Sequence, residues 1–131
     1  MTIAWSSLTC AEDLVVVTSL AGSIRSISHE EAERLYLGRT TTLVDNTSVT
    51  LIDLPPGPDR DHFYLNLTGK NPVQVRANWS RQVFTGRALP PRQAESPAQV
   101  RGWLKEDPSA IGYVPASEVT NELRRLIVIG N

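Results

Sequence analysis

The chain has one cysteine, Cys10, and two histidines, His29 and His62. An internal disulfide is therefore excluded, and Cys10 has no second thiolate with which to share a zinc ion. Neither sign of charge predominates. Thirteen Lys and Arg stand against 14 Asp and Glu, a net charge of −1, which leaves no global field to hold a polyanion such as DNA. No run approaches the ~20 apolar residues that span a bilayer. There is no Walker loop, no G-x-G-x-x-G and no G-x-S-x-G, and the two histidines lack metal-pair spacing or a Ser/Asp relay partner in sequence. Enzymatic function is the weaker class, and no cofactor is expected. What is present, 131 residues with 40% hydrophobic and 21% charged, is the composition of one ordinary globular domain. A domain of this length buries ~65–70% of its unfolded surface without a metal or disulfide.

The first eleven residues are mostly apolar and small, and Thr9-Cys10-Ala11 suits a signal-peptidase site. They lack a basic n-region, so the expectation is a signal-peptide remnant at 1–11, cleaved after Ala11, and a single domain at 12–131. Asp13 to Thr18 contains the run Leu14-Val15-Val16-Val17, which suits a strand covered on both faces, as parallel strands are. Ser28-His29-Glu30-Glu31 has capping-box form and opens a helix to Gly38 that buries Ala32, Leu35 and Tyr36. Val49 to Leu54 is a second strand, ended by Pro55-Pro56-Gly57-Pro58. Asp59 can cap a helix carrying Phe63, Tyr64 and Leu67, closed by Thr68-Gly69. The next helix follows Asn71-Pro72, with Val75, Trp79 and Val83 along one face. Gly86 to Glu95 is a basic, proline-containing connection. Ser96-Pro97 then starts a helix with Val100, Trp103 and Leu104 inward. Ile111 to Val114 and Leu126 to Ile129 supply two further strands, and strands separated by helices predict an α/β domain. Trp79, Phe84, Trp103 and Tyr113 are expected in the core.

Several segments in this order resemble the short relatives of the phosphate-binding proteins of bacterial ABC transporters. They are Tyr36-Leu37-Gly38-Arg39, Arg60-x-x-Phe63, Trp79-Ser80-Arg81-Gln82-Val83-Phe84-Thr85-Gly86-Arg87 with Pro90-Pro91, and Ile111-Gly112-Tyr113-Val114-Pro115. The resemblance covers about residues 13 to 118. It implies a periplasmic-binding-protein-like α/β fold with a mixed, mostly parallel sheet. In that family two lobes close on phosphate, and this chain has the length of a single or truncated lobe. The resemblance further implies a periplasmic or secreted protein that binds phosphate or a related oxyanion, with an ABC permease or another envelope protein as partner.

The family's hydroxyl-bearing turn after the second strand is replaced here by Pro56-Gly57-Pro58-Asp59-Arg60, in which two prolines remove donors and Asp59 opposes an oxyanion. Arg60 is the surviving cation, either a bidentate phosphate ligand or one half of a salt bridge to Asp61 or another surface carboxylate. Thr18 and Ser19 end the first strand, where open α/β sheets bind ligands, though such residues also form turns. Ser96 is an anion ligand or a plain helix cap. Arg81, Arg87 and Arg92 form a basic rim for an anion or an acidic partner, or a solvated face. Asp53, inside a buried strand, is the carboxylate expected to have a raised pKa. The alternative function is an envelope interaction module that kept the fold and lost the ligand.

Overall fold

Six consecutive residues without an exposed side chain, Leu14–Ser19, form β1 inside a five-stranded sheet. The computed structural model describes residues 12–130, so the expected signal-peptide remnant lies outside the described residues. The remaining elements are α1 (His29–Tyr36), β2 (Thr50–Asp53), α2 (Pro58–Thr68), α3 (Pro72–Phe84), β3 (Arg92–Gln93), α4 (Pro97–Glu106), β4 (Ala110–Pro115) and β5 (Leu123–Ile129), with a 3-10 turn at Ala116–Glu118.

The strand order is β3-β2-β4-β1-β5. β2 runs parallel to β3 and to β4, whereas β1 is antiparallel to both β4 and β5. Four strands thus point one way and β1 alone points the other, giving a mixed, mostly parallel α/β sheet. The apolar run of β1 correctly signals cover on both faces. The parallel direction expected of it is corrected, because burial determines hydrophobicity and leaves strand direction open.

Local signals place the helix starts. Ser28 and Glu31 exchange side-chain hydrogen bonds with each other's backbone N–H at 3.0 Å, and Asn71 with Gln74 does the same for α3. Ser96 caps α4 by accepting from the Gln99 N–H at 3.1 Å. α2 departs from expectation: its N-cap is Gly57, no side chain caps it, and Asp59 sits exposed in the first turn. Pro58 at the first helical position starts the helix through its fixed φ instead. Two further elements differ from the sequence reading. The Gly86–Glu95 connection contains the short edge strand β3, and the last strand begins at Leu123.

α1 and α3 meet through side chains that satisfy the free carbonyls at the end of α1. Trp79 Nε1 donates to the Tyr36 carbonyl at 3.0 Å, and Asn78 Nδ2 donates to the Leu37 carbonyl at 2.8 Å. Gly38, at φ 71°, lies under the Trp79 ring, whose Cη2 is 2.8 Å from where a Cβ would stand. Both the left-handed backbone and the indole require glycine there. Tyr36, Phe63, Tyr64 and Tyr113 join α1 and α2 to the sheet, with Tyr36 edge-on to the other three and Phe63 stacked on Tyr113 at 3.6 Å. Not every expected core aromatic is inside. Phe84 is 92% exposed and Val83 45%, because the core ends before the last turn of α3 does. Trp103 is only half-buried, and the Arg92 guanidinium lies 3.6 Å above its ring.

Gly112 in β4 packs where a Cβ would stand 2.8 Å from Val100 Cγ1 and 3.4 Å from Ile52 Cβ. We expect Gly112→Val to destabilise the fold by ~1–3 kcal/mol through overpacking. Partial recovery is expected when Val100→Ala is added. Chemical denaturation of the single and double variants checks this, and an unchanged midpoint in Gly112→Val would contradict the packing.

Candidate functional site

Because β2 and β3 are parallel, their carboxyl ends, Asp53 and Gln93, lie on one edge of the sheet, next to the start of α2. Asp53 is 2% exposed. Its carboxylate accepts from Tyr64 Oη at 2.8 Å and from Tyr113 Oη, and Arg60 Nε lies 3.6 Å from Oδ2. Its backbone carbonyl accepts from the Ala94 N–H at 2.8 Å. Burial raises the pKa of Asp53, while Arg60, the two phenols and the Leu54 N–H pull it back. This is the direction the sequence suggested. Burial together with the neighbouring Asp53 pushes the hydroxyls of Tyr64 and Tyr113 well above their ordinary value, so both remain donors.

Arg60 is half-buried and also donates to Gln93 Oε1 at 3.1 Å. A guanidinium carries five N–H donors, and these two contacts leave donors free. Arg60 is in a salt bridge, but the expected partner, Asp61 or another surface carboxylate, is corrected to the buried Asp53. Beside this edge opens a cleft of about 750 Å³ between α2, α3 and Pro90-Pro91. Asp53, Arg60 and Tyr64 stand at its α2 side; Arg76, Val83 and Phe84 line its α3 side.

The four residues singled out from sequence do not converge. Arg60 and Ser96 share the carboxyl edge of β2 and β3, since α2 and α4 start there. Thr18 and Ser19 lie at the opposite edge, because β1 is antiparallel: Thr18 pairs with Ile111 and Ser19 with Leu123, at the amino ends of β4 and β5. The Thr18 hydroxyl is buried and donates to the Ala110 carbonyl at 2.7 Å, while Ser19 Oγ accepts from the Ala21 N–H in a turn. Ser96 serves as the α4 cap. The sequence reading missed Tyr64, Tyr113 and Gln93 as site residues. Tyr64 carried a usable signal, since it lies four residues after Arg60 on one helix face. Among the described residues no group of three or more His, Cys, Asp or Glu could hold a metal, and no helix is long and apolar enough to cross a membrane.

No protein-family model matches the chain, and no curated protein matches it. Solved structures do. A phosphate-bound ABC transporter substrate-binding protein from Clostridium perfringens superposes with a TM-score of 0.67 at 14% identity, over 88% of this chain and 45% of that one. PstS from Borrelia burgdorferi gives 0.66 at 16% identity, over 88% and 47%. An ABC-type phosphate transport receptor from Vibrio cholerae gives 0.56 at 12% identity, over 88% and 46%. The fold is that of phosphate ABC transporter substrate-binding proteins. The chain spans less than half the length of each of these structures, and at such identities the likeness concerns the fold alone.

Since the folded state holds the Asp53 proton more tightly than the unfolded chain, where a carboxyl titrates near ~3.9, the linked stability is greatest in acid. It declines as pH rises from about 4 through the raised folded value. Asp53→Asn is expected to flatten this part of the melting temperature against pH. An identical slope in the variant would show that Asp53 does not titrate with a raised pKa.

Proposed function

We propose that this chain holds phosphate or a related oxyanion reversibly at the carboxyl edge of β2 and β3. The observation that carries this reading is the conjunction at that edge of an α2 N-terminus with no side-chain cap and an Arg60 with free donors, beside an open cleft. First-turn N–H groups and a guanidinium together are an anion-binding arrangement. The solved neighbours, one with bound phosphate, support the same class of ligand.

The edge also carries Asp53, Asp59 and Asp61, so it disfavours ions without a proton. Hydrogen phosphate can donate its proton to a carboxylate, and sulfate at neutral pH cannot. Ser96 contributes through its helix start, while Thr18 and Ser19 have no part in this site. On the same reading the setting is ABC-type phosphate uptake in the periplasm, with a permease or another envelope protein as partner. The second reading, an interaction module without a ligand, is favoured by the separation of Thr18 and Ser19 from Arg60.

Titration calorimetry of residues 12–131 with phosphate and then sulfate at low ionic strength distinguishes the two. Saturable phosphate binding, tighter than sulfate, is expected. Arg60→Ala should weaken it by ~1.5–3 kcal/mol, the scale of a hydrogen bond to a charged group. Folded protein that gives no heat with either anion would favour the interaction module, and affinity unchanged in Arg60→Ala would remove Arg60 from the site.

A further inference from the structure

The cleft between α2 and α3 is too large and too apolar for an inorganic oxyanion alone. At about 750 Å³ it has the volume of a site for an organic small molecule, and phosphate leaves most of it empty. Nine of its fifteen lining residues are proline, aliphatic or aromatic, so an occupant gains chiefly by covering apolar surface. Two of the nine stand open to solvent: Phe84 is 92% exposed and Val83 45%. Both sit in the last turn of α3, and Pro90 and Pro91 line the cleft with them.

The charged lining is balanced, with Asp53 and Asp61 against Arg60 and Arg76. Asp53 is taken up by Tyr64, Tyr113 and Arg60 Nε. Gln93 accepts from Arg60 Nη1, which leaves Nη2 without a partner among the described residues. Arg76, on the α3 side, forms no salt bridge among the described residues either. Unused guanidinium donors suit one anionic group. An occupant with many carboxylates or phosphates would meet Asp61 with no surplus of positive charge to offset it.

We propose that the cleft takes an organic monoester of phosphate, with its phosphate on Arg60 Nη2 and its apolar body against Val83, Phe84 and Pro90-Pro91. This deepens the oxyanion reading and rests on it for the head group; the addition is the body. A monoester joins one anionic group to one apolar part, and the lining offers donors for the first and bare surface for the second. Inorganic phosphate leaves Val83 and Phe84 in water, where covering them would be favourable. A neutral apolar molecule leaves the Arg60 donors unpaired in a partly enclosed space, which is costly.

Titration calorimetry of the full chain with naphthyl phosphate, inorganic phosphate and naphthol separates the two parts. Naphthyl phosphate is expected to bind at least about tenfold more tightly than either of the others. In Phe84→Ser and in Val83→Ser the ratio of naphthyl phosphate affinity to inorganic phosphate affinity should fall at least about threefold. Both side chains are exposed, and circular dichroism checks that the variants fold. Naphthyl phosphate no tighter than inorganic phosphate, or a ratio unchanged in both variants, overturns the proposal and leaves the oxyanion reading in place. Naphthol that binds as tightly as its phosphate overturns it as well, by showing an apolar pocket without a head-group site. No saturable binding of either phosphate by folded protein overturns both readings.

Discussion

A carboxylate almost sealed from water, Asp53, is the constraint around which one end of this molecule is organised. Leaving such a charge unpaired is costly, and breaking a buried pair typically costs ~3–5 kcal/mol. Its partners come from different elements: Tyr64 and Arg60 from α2, Tyr113 from β4, and the N–H of Ala94 just after β3, which binds its backbone. Satisfying one group thus fixes α2 against the sheet and pins the edge strand β3, although β3 is only two residues long. Gln93 extends the arrangement by holding the far side of Arg60. The open cleft beside α2 is a consequence, since these contacts set where its α2 side stands.

The residues that carry the family resemblance are chiefly packing residues. Gly38 admits the Trp79 ring, Trp79 and the neighbouring Asn78 satisfy the end of α1, and Gly112 admits Val100. Tyr36 sends its hydroxyl to the Ile52 carbonyl at 2.9 Å and so ties α1 to β2. Each is constrained by a close approach or a buried polar atom, which explains why the pattern predicts the fold at such low identity. Other residues of the same segments, Arg60, Ser80, Val83, Phe84 and Pro90-Pro91, line the cleft. The packing residues therefore inform about architecture, and ligand chemistry must be argued from Asp53, Arg60 and the start of α2.

Legibility in the sequence follows the range of the interactions. Ser28 with Glu31 and Ser96 with Gln99 were readable as helix starts because the partners are three residues apart. β1 was readable as a buried strand, but its direction depends on pairing with residues almost a hundred positions away. That single reversal carries Thr18 and Ser19 to the wrong edge for a shared site. Val83 and Phe84 failed for another reason: periodicity continued along α3 after the core it packs on had ended. Asp53 was recognisable as unusual, yet Tyr113 as its partner lies 60 positions away and could not be assigned from local pattern.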